Sequence, residues 1–442
     1  MDKHSSAPLF EVSEAPSTSV SPDRKSSAAG IPRVEEPARS QGEIRFEIPD
    51  DTIAPSHPAR VLWNMLGTLN LSAFSRECSS VEGAAGRSLK SPRMLLTLWL
   101  YAISRGVGSA REIARLVKTD VEFRWIVGNL EVGHHKLSAF RVGHGEALNR
   151  LMTDVLASLM EKGLLSLDLV SQDGTRTRAA ASAPSFRTYG SLLQCRQQAA
   201  LHLKAVLASA EDPEHTKAQH ARRLAAARDF QERMEAAIIT VSELQKGRGS
   251  KDKPARASTT DVEARVMKMG DGGFRPAFNV QYATAGSELG GPRTVVGVQV
   301  TNVGSDMGSL TPMAEQIEKR TGELPKVVLA DGGHAKREDI ISMMTKGIDI
   351  LVPPADNARS IEQLKAEGEA PEVIAWRERM ETEEAKELYR ARAGLGELSN
   401  AHQKSHHGIS QFIVKGIDKV TCVILLSAIT SNLLQHAAHW LC

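Results

Sequence analysis

The chain predicts an α/β fold: a mixed sheet with an antiparallel edge, flanking helices, a helical insertion, and an all-α region ahead of the sheet. Three observations predict it. Over 166–438, apolar runs and helical stretches follow the order strand, hairpin, helix, strand, helix, strand, helix. Two of the runs, Leu164 to Val170 and Lys326 to Ala330, lead into an aspartate followed by glycine. A charged, alanine-rich stretch with helical character, at about 190–257, interrupts the pattern.

The chain has 442 residues, enough for two or three domains with ample core. With 41% hydrophobic and 24% charged residues the composition is globular. The net charge is only +2, so any nucleic-acid surface must come from local clustering. Four cysteines (Cys78, Cys195, Cys422, Cys442) lie far apart without a C-x-x-C pair, which argues against zinc and disulfide frameworks. A reduced, intracellular (cytoplasmic) setting is the expectation, and the N-terminal residues show no basic-then-apolar signal pattern. Val420 to Leu441 is apolar but interrupted by Ser427, Ser431, Asn432, Gln435 and His436, which predicts a core helix rather than a membrane span.

Residues 1–45 are rich in Ser, Pro, Ala and Glu and are expected to be disordered. From 46 to 165 the pattern is helical. Ser91-Pro92 caps a helix that runs to about Ser104, and Ser109-x-x-Glu112 forms a capping box for the next. A further helix starts near Ser138 and carries Phe140, Leu148, Leu151, Met152, Val155 and Leu159. Short helices bearing Arg111, Arg115, Lys118 and Arg124 match a helix-turn-helix that reads DNA; the alternative is a small bundle with solvated charges.

The first strand is expected over 166–173, ending at Asp173-Gly174, with Arg176 and Arg178 just beyond, suited to phosphate. The insertion predicts an exposed helical hairpin at about 192–246, followed by a basic loop with Arg248, Lys251 and Lys253 that is either a phosphate contact or a solvated linker. Phe274 to Thr284 and Thr294 to Thr301 form a hairpin, and a helix runs from about Met307 to Arg320. Lys326 to Ala330 is another short buried strand, ending in Asp331-Gly332-Gly333, and Ile348 to Val352 is a fifth, stopped by Pro353-Pro354. Helices at about 372–406 and 409–438 close the chain.

Asp173 and Asp331 thus hold equivalent positions at strand ends. Adjacent carboxylates repel, and a bound cation is one way to neutralise them. Hard oxygen ligands call for Mg²⁺ or Mn²⁺, and two such ions about 4 Å apart act on phosphodiesters. Glu397 is the chosen third acid, because Glu397, Asn400 and Lys404 share one helix face. Its rivals Glu383, Glu384 and Glu387 sit in a dense charge run expected to face water. The histidines, including His134-His135 and His406-His407, lack zinc-ligand spacing and are taken as structural or surface residues.

At this point the residues resemble a family. Asp173-Gly174-Thr175 with Ser185-Phe186-Arg187, then Ser258-Thr259-Thr260-Asp261, Phe278-Asn279-Val280-Gln281 and Val303-Gly304-Ser305-Asp306-Met307, resemble a bacterial insertion-sequence transposase of the DDE type. Asp331-Gly332-Gly333 resembles its second-aspartate motif, and Tyr389, Arg392, Glu397 and Lys404 its tyrosine-arginine-glutamate-lysine signature. The gap from Arg392 to Glu397 is one residue longer than in the broader signature, and His334 stands where an aromatic is common. The resemblance spans roughly 57–438 and implies an RNase H-like catalytic domain over 166–438 behind a helical, DNA-binding domain over 46–165. It implies an enzyme that cuts and joins DNA at the ends of its own element. Asp173, Asp331 and Glu397 would hold Mg²⁺ or Mn²⁺, while Tyr389, Arg392 and Lys404 would position phosphate or a terminal base. DNA is the implied partner, as element ends and as target, with a homodimer on DNA and a nucleoid-associated location. The other readings are a metal-dependent nuclease without strand transfer and a DNA-binding remnant without catalysis.

Overall fold

The computed structural model describes residues 46–75, 89–209, 216–247, 254–287, 291–355 and 359–440. The 1–45 tail and the loop residues Arg248, Lys251 and Lys253 lie outside the described residues.

Among the described residues six α-helices come first: α1 (Pro58–Gly67), α2 (Pro92–Ser104), α3 (Ala110–Thr119), α4 (Val121–Val127), α5 (His134–Gly143) and α6 (Gly145–Glu161). Ser91 caps α2 by accepting the Met94 N–H, and Pro92 takes the first turn, where its missing N–H costs nothing. Ten of the 13 residues of α2 are buried, which makes it the axis of this bundle. The expected capping box at Ser109 forms by half. Ser109 accepts the Glu112 N–H, but the Glu112 carboxylate turns to Arg115 instead. The expected helix from Ser138 is two helices, α5 and α6, because Gly143-His144-Gly145 breaks it.

The sheet is built from β1 (Leu169–Arg178), β4 (Arg265–Lys268), β5 (Phe274–Ala285), β6 (Thr294–Thr301), β7 (Val327–Leu329) and β8 (Asp349–Leu351). Its order is β6-β5-β1-β7-β8, with β4 beside the start of β5. The pairs β6/β5 and β5/β1 are antiparallel; β1/β7 and β7/β8 are parallel. This is the RNase H-like arrangement expected. The helices α9 (Leu310–Thr321) and α10 (Arg337–Thr345) are the crossovers that parallel pairing requires.

The insertion is the predicted helical hairpin, α7 (Tyr189–Ala208) and α8 (Lys217–Lys246), rooted on a two-stranded stub of β2 (Phe186–Arg187) and β3 (Ala257–Ser258). Its small core is Leu192, Ala237, Val241, Ala255 and Ala257.

The C-terminal part differs from expectation. After α11 (Ile361–Ala366) and α12 (Pro371–Glu381), Thr382 ends one helix and caps the next, α13 (Glu383–Arg392). A π-helical turn, Ala393–Glu397, joins α13 to α14 (Leu398–Ser405). The closing helix α15 (Ile417–Gln435), followed by the short α16 (Ala437–Trp440), begins at 417 rather than 409. Residues 412–415 instead alternate buried and exposed, and Gln411 bridges Arg178 at the end of β1. Asp261 and Glu263 meet the start of α15, accepting the N–H groups of Gly416 and Ile417.

α15 is long and apolar enough to cross a bilayer by length and composition, and 67% of its most apolar window is buried. It packs against α2, α5, α6 and β6, so the helical region and the sheet share one hydrophobic core. Each fully buried Leu or Ile on it contributes about 2 kcal/mol from area alone.

Candidate active site

Strand pairing places the two aspartates. The parallel ladder between β1 and β7 ends at Ser171 opposite Leu329. Asp173 and Asp331 each follow two residues later, so both emerge at the same sheet edge. The expectation that β1 ends at Asp173-Gly174 is corrected. The strand continues to Arg178 on its antiparallel partner β5, with Asp173 opposite Tyr282 and Gly174 opposite Gln281. Gly174 is therefore not a turn. A Cβ there would lie 2.2 Å from Gln281 Nε2 and 2.5 Å from Asp306 Oδ1, so the glycine leaves room for a buried polar cluster.

That cluster lies behind the aspartates. Asp306 Oδ1 accepts from Asn279 Nδ2 at 2.7 Å and Gln281 Nε2 at 2.6 Å, and its Oδ2 accepts from Arg176 at 2.8 Å. Gln172 Nε2 donates to Ser309 Oγ at 2.9 Å. Arg176, expected to face phosphate, is thus engaged by Asp306 and the Gly304 carbonyl. Arg178 ends β1 exposed, and its carbonyl takes the Phe412 N–H.

The two carboxylates have different surroundings. Burial pushes Asp173 above the usual carboxylate range, against the pull of an Asn400 Nδ2 hydrogen bond to Oδ2 at 2.7 Å, and the Asp331 charge raises it further. Asp331 is held low, first by its hydrogen bond with His334. Its Oδ1 meets the Gly333 N–H at 3.0 Å and His334 Nδ1 at 2.6 Å, and its Oδ2 takes no hydrogen bond among the described residues. His334 is fully buried and reaches Gln281 Oε1 at 3.0 Å through Nε2. In the sequence it stood out only as a histidine where an aromatic is common, and it was given no role.

A single helical run supplies the rest. The π turn takes up one extra residue between Arg392 and Glu397, which is the longer gap seen in the sequence. It also sets Gly396 against the sheet: a Cβ there would lie 2.8 Å from Ser171 Oγ and 3.1 Å from Asp173 Cβ. Arg392 donates to Glu397 Oε1 at 2.5 Å and lies close enough to Asp173 and Asp331 to lower both carboxylates. Its guanidinium also sits over the Tyr389 ring, 5.8 Å from the centroid. Lys404, whose ammonium is destabilised by burial, is held up by the Asp173 charge. The rivals Glu383, Glu384 and Glu387 are exposed and paired with Lys386, Arg379 and Arg390.

Among the described residues, no three or more His, Cys, Asp or Glu side chains are gathered into a metal-holding group. Asp173 and Asp331 come together; Glu397 is drawn to Arg392. The two carboxylates are hard oxygen donors of the kind Mg²⁺ or Mn²⁺ takes: Asp331 Oδ2, without a hydrogen bond among the described residues, and Asp173, whose Oδ2 accepts from Asn400. The edge is open, with Asp331 and Glu397 side chains 42% and 55% exposed, so it admits a polymer backbone.

An RNase H-like sheet with two aspartates just past its central parallel strands is the arrangement that the resemblance to DDE transposases implied. Family comparison agrees: residues 357–437 match a transposase DDE domain, and residues 47–142 match a transposase domain (DUF772). In these two stretches the chain is similar to the transposases of insertion elements. No curated protein and no solved structure matches it.

Proposed function

We propose that the chain cleaves the ends of its own mobile element and joins the freed 3′-hydroxyls to target DNA, using Mg²⁺ or Mn²⁺ held by Asp173, Asp331 and Glu397. The observation that supports this most is the β1/β7 register, which brings Asp173 and Asp331 to one open edge. In the first step a water oxygen bonds to phosphorus and the bond to the 3′ oxygen breaks, leaving a 3′-hydroxyl. In the second, that oxygen attacks a target phosphodiester and displaces another 3′ oxygen. Divalent ions, when bound, supply the charge that stabilises attacking and departing oxygens.

The chain's own residues position the DNA. Arg392, now paired with Glu397, has the planar fork that grips phosphate bidentately, and exchanging Glu397 for a phosphate releases that carboxylate towards the aspartates. Lys404 places a second positive charge beside Asp173. Tyr389 offers a ring against which a terminal base stacks. Pairing two element ends calls for a homodimer on DNA, in the bacterial nucleoid.

The test is to incubate the purified chain with element-end DNA, a target plasmid and Mg²⁺. Joined products support transposition, whereas nicked ends without joining support a nuclease. Salt-sensitive binding without any metal-dependent product supports a DNA-binding remnant.

A further inference from the structure

Asp331 Oδ2 takes no hydrogen bond among the described residues, while Oδ1 is held by a buried relay. Gln281 Nε2 is committed to Asp306 Oδ1 at 2.6 Å, a carboxylate oxygen that only accepts. The amide is therefore oriented with Oε1 towards the His334 ring at 3.0 Å, and ring Nε2 donates to it. The Asp331 carboxylate also only accepts, so ring Nδ1 donates to its Oδ1 at 2.6 Å, joined there by the Gly333 N–H, and the bonded ring carries a proton on each nitrogen. The members have almost no freedom: His334 is 0%, Gln281 1%, Asn279 1% and Asp306 7% exposed. Gly174 lets the relay pass under β1, since any Cβ would strike Gln281 and Asp306.

We propose that His334, braced by Gln281 and Asp306, is a positioning residue that fixes the Asp331 carboxylate with Oδ2 presented to the divalent ion. The inference rests on the reading of Asp331 as a metal ligand. A carboxylate tethered through one oxygen cannot rotate away when the repulsion of Asp173 acts on it. Partners of this kind behind a ligand commonly change metal affinity on the order of 10–100-fold when lost.

The test is Mn²⁺ binding by the full chain without DNA, followed by the paramagnetic signal of free Mn²⁺. Asp331→Ala should abolish the binding; if it does not, the metal-ligand reading fails and this inference with it. Given that loss, His334→Leu should weaken affinity on the order of tenfold or more. Two polar variants separate positioning from packing. His334→Asn puts an amide where Nδ1 stood, within reach of Asp331, and should keep most of the affinity. His334→Gln reaches only the Nε2 position and should behave like His334→Leu. Equal affinity in wild type, His334→Asn and His334→Gln, with Asp331→Ala dead, overturns the proposal. So does equal loss in Asn and Gln variants that melt at the wild-type temperature.

Discussion

Asn400 Nδ2 donates to Asp173 Oδ2 at 2.7 Å, across 227 residues of sequence. The bond ties the helix that carries Glu397 and Lys404 to the strand that carries Asp173. It also stabilises the ionised form of a carboxylate that burial otherwise raises. Asn400→Leu removes that bond from a buried carboxylate and is expected to destabilise the fold by about 1–3 kcal/mol, read as a lower denaturation midpoint.

The two glycines of the π turn differ in what surrounds them. A Cβ on Gly396 meets Ser171 and Asp173, whereas one on Gly394 meets nothing within 4 Å. Gly396→Ala should push the helix off β1, costing about 1–3 kcal/mol and most of the DNA-cleaving activity. Gly394→Ala should be neutral or stabilising by up to about 1 kcal/mol. Thermal melts of the two variants, side by side, check the contrast.

Much of this site was legible in the sequence. Asp173 and Asp331 stood out because each follows an apolar run and precedes glycine, and Asn400 and Lys404 because they share a helix face with Glu397. The length of β1 was not legible. Beyond Asp173 it is buried through Thr175 and Thr177 and paired with β5, so its apolar signal stops while the strand goes on. The 409–416 segment was expected to belong to the closing helix, whose apolar run continues from 417. Its burial has a strand-like period instead, held between Gly408 and Gly416 at positive φ. The role of His334 was not legible, since its second partner, Gln281, comes from β5, 53 residues earlier, and is itself held by Asp306.

Lys404 offers a separable prediction about DNA. Lys404→Ala should weaken binding of element-end DNA about equally for any sequence, and reduce the slope of affinity against salt by about one. Filter binding at several ionic strengths checks it.

Stability should depend on pH through the histidine cluster next to α14. Burial, with His402 and His406 nearby, pushes His407 down to about 3. Its Nδ1 lies 3.0 Å from Gln403 Oε1 and 2.8 Å from Ser427 Oγ. The unfolded chain protonates this residue near pH 6.5, and the folded chain resists until about 3. Its contribution is therefore intact at neutral pH and is lost as pH falls, by about 1.4 kcal/mol per unit below about 6.5. His407→Asn should flatten the fall in melting temperature between pH 7 and pH 5.

The central claim is that the paired aspartates at the end of β1 and β7 carry DNA cleavage. Nicking of element-end DNA in Mg²⁺ by wild type, Asp173→Ala and Asp331→Ala tests it most directly. The account predicts nicks with wild type and none with either variant, at unchanged DNA affinity. Nicking that survives in Asp173→Ala or Asp331→Ala would contradict it.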